Sequence, residues 1–587
     1  MQRQNNKRHR LLIGLVGLAV LIGLLVGLIF FIGASQNDQT MSYQVAPLLD
    51  RPAGREEAAA DTAADRGASA PAAAPPKGMV LESVVVEKEV KVEAAAESRS
   101  EAFFPPPAMT ATPPGTRPAE GEQTLPNEEP FDTMFFKSEG VNPFIDTEDD
   151  HFSTFAMDVD TGSYSIARRY VSEGHLPPEE AIRVEEFINY FDQGYLYPPE
   201  GQAFALHMDS APAPFTENER YQMLRVGIQG YAVAPEDRKD VALTFVIDVS
   251  GSMDRENRLG LVKQSLALLV EQLRPSDSVA IVVYGSSARV VLEPTSGANQ
   301  AEILRAITGL HPDGSTNAEE GLRIGYDLAL DAFKPGGVNR VILASDGVAN
   351  VGRTSAGSIW EVIKAKASEG VTLTTIGFGL GNYNDVLMEQ LADNGDGFYA
   401  YVDTLREAER LFVHGLTGSL QVIALDAKVQ VEFNPQVVAR YRLVGFENRA
   451  IADEDFRNDT VDAGEIGAGH NVTALYEVKL HPDAVGQIAT AFIRWEDPDS
   501  HQVSELSRTF NSDETAPSFS QASPRFQWDV VVAEYAEILR GSYWAQNSSL
   551  PAVLEEAERV SRLLDQDAEA LEFVGLVRQA AGLARGG

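Results

Sequence analysis

The chain has 587 residues, with 86 Asp and Glu against 48 Lys and Arg and a formal net charge of −38. That balance argues against nucleic acid, whose phosphates are bound by clustered Lys and Arg, and against docking on anionic lipid headgroups. There is no cysteine, which excludes disulfides, a thiol nucleophile, Cys-based zinc sites and a cysteine-linked lipid anchor.

Residues 1–10 carry Arg3, Lys7, Arg8 and Arg10 and no acid, and residues 11–33 follow without a charge. As a helix, a run of ~23 residues spans roughly 34 Å, against a hydrocarbon core of ~30 Å. The reading is a signal anchor. Residues 1–10 form a cytoplasmic basic tail and residues 11–33 a single transmembrane helix in the cell inner membrane. Every later domain then lies outside the cytoplasm, in the periplasm. A cleaved signal peptide is the alternative, although its apolar region is usually ~7–15 residues; both readings export the rest of the chain. Residues 34–130 are rich in Ala, Pro and Glu and poor in large apolar side chains. Such a segment cannot offset the entropy of ordering and reads as a disordered linker.

Residues 131–235 read as an N-terminal module. Alternation over 155–159 suggests a strand, and 164–172 and 178–191 read as helices. The second opens on Pro178, where a missing N–H costs nothing. Asp158 and Asp160 read as turn and cap residues paired with Arg168 or Arg169, not as metal ligands. Leu224, Val226 and Ile228 mark a strand over 221–233 by their period of two.

Strands and helices alternate over residues 236–418. This implies a doubly wound, mostly parallel α/β sheet of about six strands, covered on both faces. Its first strand is apolar from Val241 to Ile247 and ends in Asp248; Ser250 and Ser252 follow at alternate positions. Ligands bind at the carboxyl ends of strands in such sheets, and oxygen donors suit a hard cation such as Mg2+. Two later stretches can complete the site. Thr316 lies in Gly314-Ser315-Thr316-Asn317, a small-residue turn before a helix, and Asp346-Gly347 follows an apolar strand over 338–345. Any one of these positions fits a turn or helix cap; the five together fit that reading poorly.

Asp-x-Ser-x-Ser, a Thr in a Gly-Ser-Thr turn and Asp-Gly after a strand resemble the metal-ion-dependent adhesion site (MIDAS) of von Willebrand factor type A (VWA) domains. The resemblance implies a bound Mg2+ (or Mn2+ or Ca2+). By the same resemblance Ser250 and Ser252 bind it directly, Asp248 directly or through water, Thr316 on closure and Asp346 through water. It also implies a protein partner whose acidic side chain fills the open coordination place. Asp254, Glu256, Glu319 and Glu320 are read as structural. Residues 131–235 and the β-rich and helical module at 419–587 resemble the regions that flank the A domain in a bacterial VWA family.

In that closing module, 427–433, 439–444, 471–480, 487–495 and 502–510 read as strands, and 526–543 and 553–585 as amphipathic helices. The strand over 221–233 is expected to join these in one β-sandwich split by the A domain. The function expected is metal-dependent protein binding in adhesion, assembly or regulation, by a membrane-tethered and non-enzymatic protein. The alternatives are a metal-assisted hydrolase or a structural scaffold with no metal. A hydrolase needs a base or nucleophile beside the metal, and the nine histidines form no H-E-x-x-H cluster. His311, near the Thr316 turn, reads as a loop residue. Nothing in the sequence sets an oligomeric state.

Overall fold

The computed structural model describes residues 136–586, apart from 217–219, 348–355, 380–382 and 566. The expected membrane anchor and the linker lie outside the described residues. Among the described residues, no helix is long and apolar enough to cross a membrane.

The first part comprises β1 (Ile145–Asp146), β2 (Phe152–Ala156), α1 (Gly162–Ser172), α2 (Val184–Ile188), β3 (Phe204–Pro212) and β4 (Tyr221–Gly230). The helix expected over 178–191 is instead a 3-10 turn, Glu179–Ala181, followed by the short α2. Between them Ile182 and Arg183 are extended. The break is held by the Arg183 N–H donating to Ser163 Oγ at 2.9 Å and by its guanidinium reaching Asp385 at 2.7 Å. Strand β3 was not expected, although Phe204, Leu206 and Met208 alternate.

The α/β domain follows. It comprises β5 (Val241–Asp248), α3 (Arg258–Glu271), β6 (Ser278–Tyr284), β7 (Ala288–Ser296), α4 (Gln300–Thr308), α5 (Ala318–Asp331) and β8 (Val338–Ser345). After these come α6 (Ala356–Ser368), β9 (Val371–Phe378), α7 (Asp385–Asp393), β10 (Tyr399–Val402), α8 (Leu405–Glu409) and α9 (Leu416–Leu420). The sheet order is β10-β9-β8-β5-β6-β7. All neighbours are parallel except β7, which runs antiparallel to β6. Every residue of β5, a central strand, is buried, which is why Val241 to Ile247 are apolar apart from Thr244. The closing helix is not continuous: a π-helical turn, Arg410–His414, separates α8 from α9.

The last part holds β11 (Val422–Phe433), β12 (Val438–Val444), β13 (Gly464–Gly467), β14 (Asn471–Leu480), β15 (Gln487–Glu496) and β16 (Val503–Asn511). Three helices close the chain: α10 (Pro524–Leu539), α11 (Leu550–Ser561) and α12 (Ala568–Gly586). One sheet runs β1-β12-β14-β4-β3; the other runs β13-β11-β15-β16, with β2 also on β11. Strand β4, from before the α/β domain, pairs antiparallel with β14, from after it, with Val226 opposite Ala474. Leu224, Val226 and Ile228 then share a core with Val429, Val431 and Ile493. The sandwich is therefore one body into which the α/β domain is inserted. The helix expected over 553–585 is two helices. Asp565 has a positive φ of 35°, and the Asp567 carboxylate accepts from the N–H groups of Glu569 and Ala570 at 2.9 and 3.0 Å. A carboxylate in that place starts a new helix.

Buried arginines seam the modules together. Arg168 of α1 reaches Asp403 at 2.6 Å and Glu407 at 2.9 Å. Arg449 reaches Asp158 at 2.9 Å, Glu389 at 3.1 Å and Asp393 at 3.2 Å. Asp158 and Asp160 stand in the turn before α1, but neither caps it: its N-cap is Thr161, with no side-chain cap bond, and the arginine that pairs with both acids is Arg449, not Arg168 or Arg169. Asp158 accepts from the Asp160 N–H, and Asp160 from the Tyr399 N–H.

Glu185 of α2 is 2% exposed, and one of its carboxylate oxygens has no hydrogen-bond partner among the described residues. Burial, then the charges of Glu447 and Glu186, push its pKa from 4.5 up to about 8. A raised acid keeps its proton in the folded state while the unfolded chain has released it. Its stabilising contribution is complete below about 4.5 and is lost as pH rises to about 8, at up to ~1.4 kcal/mol per pH unit. Glu185→Gln is expected to flatten this decline. Urea midpoints at pH 5 and pH 8 check it: an unchanged difference between the two would show that another group carries the pH dependence.

Candidate functional site

Strand β5 leaves the buried sheet at Asp248, which is fully buried. The Ser250 N–H donates to Asp248 Oδ1 at 2.7 Å, an Asx turn that lets a short acid bend its own chain. The bend brings the Ser250 and Ser252 hydroxyls to 3.0 Å from each other. Strand β8 lies beside β5 and parallel to it, with Ile247 opposite Ala344. Ser345 and Asp346 therefore arrive at the same end of the sheet. Ser252 Oγ donates to Asp346 Oδ1 at 3.0 Å, and Ser345 Oγ donates to Asp248 Oδ2 at 2.9 Å. Asp248, Ser250, Ser252 and Asp346, 98 residues apart at the extremes by number (346 − 248), thus form one hydrogen-bonded cluster.

Thr316 stands in the loop pinned beside them. Asp313 donates its N–H to Val249 O at 2.5 Å, and Gly251 donates to Gly314 O at 3.0 Å. Gly314 has φ +75°, and a Cβ there would run into Ser286, so only glycine makes this approach. Thr316 is half-buried, and the Asn317 side chain caps α5. Glu320 is structural, accepting from the Ala288 N–H at 3.1 Å and from Asn317 Nδ2 at 2.9 Å. His311 is an exposed loop residue whose ring lies against Gly309 O.

Two participants were missed in the sequence. Ser345 was legible, because it is the last residue of a parallel strand beside β5. Arg258 was not: it opens α3, and its Nη1 donates to Asp346 Oδ2 at 2.6 Å, with the two side chains 4% and 2% exposed. The site's protein charge is therefore not set by Asp248 and Asp346 alone.

Burial, then the Asp346 charge, push Asp248 from 3.8 up to about 7, against hydrogen bonds from Ser250 and Ser345. Asp346 is also raised by burial, with Arg258 and Ser252 pulling it back. The adjacent Tyr284 hydroxyl is pushed well above its usual value by burial and then by the Asp248 charge. Two buried carboxylates within one cluster are costly without a compensating cation. Among the described residues, no group of three or more His, Cys, Asp or Glu is placed to hold a metal. The cluster at β5 and β8 offers a different donor set, two carboxylates and the Ser250 and Ser252 hydroxyls, with the Thr316 hydroxyl in the adjoining loop, all oxygen. That set fits Mg2+, Mn2+ or Ca2+ and not a softer metal. A cavity of about 1330 Å³ lies elsewhere, near Arg442, Glu477 and Trp544, and none of the five residues lines it.

Known families match along the chain. The von Willebrand factor type A domain matches residues 242–413, a family described as von Willebrand factor matches 130–225, and the C-terminal region of the uncharacterized protein YfbK matches 418–485 and 480–583. The YfbK protein of Escherichia coli (strain K12) is 36% identical over 468 residues, covering 75% of this chain and 80% of that protein. The chain belongs to the YfbK family of bacterial VWA proteins. A second relative, the uncharacterized protein sll0103 of Synechocystis, is 25% identical over 60% of this chain and 81% of its own length. Among solved structures, a von Willebrand factor type A protein from Catenulispora acidiphila aligns with a TM-score of 0.40 at 15% identity, over 66% of this chain and 91% of that one. Within the YfbK-family chain the three matched regions follow one another, although its sandwich strands interleave across them.

Proposed function

We propose that this YfbK-family protein is a metal-dependent protein-binding module. Asp248, Ser250, Ser252, Thr316 and Asp346 would hold Mg2+ (or Mn2+ or Ca2+) at the carboxyl end of β5 and β8. When bound, the ion supplies an electrophilic centre able to accept a carboxylate from a partner protein. The observation that carries the reading is the single hydrogen-bonded cluster of Asp248, Ser250, Ser252 and Asp346. VWA domains are typically protein-interaction modules, which supports binding over hydrolysis.

The residues themselves explain the proposed selectivity. Neutral hydroxyls bring oxygen without charge, so they leave the ion's charge largely unspent. Ser345 and the Ser250 N–H hold the two oxygens of Asp248 in fixed directions. The backbone bonds from Gly251 and Asp313 keep the Thr316 loop beside them. The uncharged run at residues 11–33 and its basic flank support tethering in the inner membrane, with residues 34–130 as spacer and the folded domains in the periplasm.

Calorimetric titration of the full chain in detergent, stripped with EDTA, tests the reading. The wild type is expected to bind Mg2+ or Mn2+ and to melt higher with it. Asp248→Ala is expected to lose both effects while keeping a cooperative melt. No binding by the wild type, or equal binding by Asp248→Ala, would overturn the proposal.

A further inference from the structure

We infer that Arg258 is a resident cation of the site, set so that the metal binds weakly alone and tightly together with an incoming carboxylate. This rests on the metal-binding reading above.

Arg258 follows the seven-residue 3-10 segment Gly251–Asn257 that carries Ser252. Its position is built into the fold. The guanidinium lies in a buried ion pair with Asp346. Gly379, just after β9, has φ +83°, and a Cβ there would fall 2.3 Å from Arg258 Nε. The glycine thus leaves the space that the arginine occupies. Asp346 is engaged at both oxygens, by Ser252 at Oδ1 and by Arg258 at Oδ2. A guanidinium does not lose its proton in a protein, so this charge is permanent.

Charge counting gives the consequence. With Asp248 and Asp346 ionised, the cluster carries −2, and Arg258 brings it to −1. A divalent ion then takes it to +1, and a partner carboxylate takes it to 0. Without Arg258 the same steps end at 0 and then at −1. In a buried site uncompensated charge is expensive. Arg258 therefore opposes the metal when it comes alone and favours the pair of metal and carboxylate. Coupling of this kind is reciprocal: whatever factor the carboxylate adds to metal affinity, the metal adds to carboxylate affinity. Such a site would hold the divalent ion and an acidic side chain each more tightly when the other is present.

The test is Mg2+ titration of the full chain by calorimetry, with and without saturating acetate as the carboxylate probe, repeated with Mn2+. In the wild type acetate is expected to tighten Mg2+ binding by about tenfold, a coupling of ~1.4 kcal/mol. Arg258→Gln is expected to bind Mg2+ about tenfold more tightly without acetate and to lose most of the acetate effect. Arg258→Lys keeps the charge and is expected to keep the coupling. It also serves as the folded comparison should Arg258→Gln melt low. If Arg258→Gln and the wild type show equal Mg2+ affinity and equal acetate effects, this inference fails while metal binding stands. If the wild type binds neither metal, the reading beneath it fails.

Discussion

Replacing Arg168 with alanine is expected to destabilise the protein by about 3–5 kcal/mol, the usual cost of removing one partner of a buried ion pair. Arg168 is 7% exposed at its side chain, and its partners Asp403 and Glu407 are 2% and 4% exposed. The Tyr190 hydroxyl completes the group, accepting from Arg168 Nη1 at 2.7 Å and donating to Glu407 at 2.9 Å. Burial pushes Glu407 upward, but the charges of Arg410 and Arg168 outweigh it and hold the carboxyl below its usual range. Without Arg168 two carboxylates remain in a dry seam with one cation fewer. The seam joins α1 to the end of β10 and to α8, so its loss should loosen the α/β domain from its support. Chemical unfolding of Arg168→Ala measures the cost. Repeating it in an Asp403→Asn/Glu407→Gln background decides the cause. If Arg168→Ala costs as much there, packing matters and the orphaned charge does not.

Trp528→Ala is expected to cost a similar ~3–5 kcal/mol, from lost burial plus the cavity left behind. Trp528 is fully buried on α10. Its ring centroid lies 5.6 Å from Phe191 and 5.2 Å from Phe573, both edge-on. Its cluster contains Tyr164, Val184 and Phe187 from the first module as well as α10, α11 and α12. The regions before and after the α/β domain therefore share a core, and damage to one should be felt in the other. In Trp528→Ala, limited proteolysis should open residues 162–191 together with 524–586 and spare the sheet from β5 to β10. Faster cleavage in the tail alone would show that the two regions are independent.

The α/β domain was legible because all its strands except the edge strand β7 are buried almost throughout. They appear as apolar runs, and the site residues stand where those runs stop. Asp248, Ser250, Ser252 and Asp346 followed from that pattern with no knowledge of contacts. The sandwich was legible in outline, through the period of two in β4 and the strand-like runs between turns in the closing module. What stayed hidden depended on partners distant in sequence. Arg258 meets Asp346 and Arg449 meets Asp158 only in the folded chain, and nothing in local periodicity marks either. The helices expected over 178–191 and 553–585 failed for a related reason. Periodicity runs on through Arg183 and Asp567, but their side chains satisfy distant or capping partners that end the helix.

Insertion of the α/β domain has a mechanical consequence. A pull applied at the carboxyl end of β5 would travel to the sandwich by two covalent routes, one into β4 and one into β11. Strand β4 runs between β14 and β3, and β11 between β13 or β2 and β15. Neither is an outer strand, and they belong to different sheets. Extracting either one means shearing ladders on both its sides at once, instead of peeling hydrogen bonds in turn. Tension is shared between two anchorages that resist it in parallel.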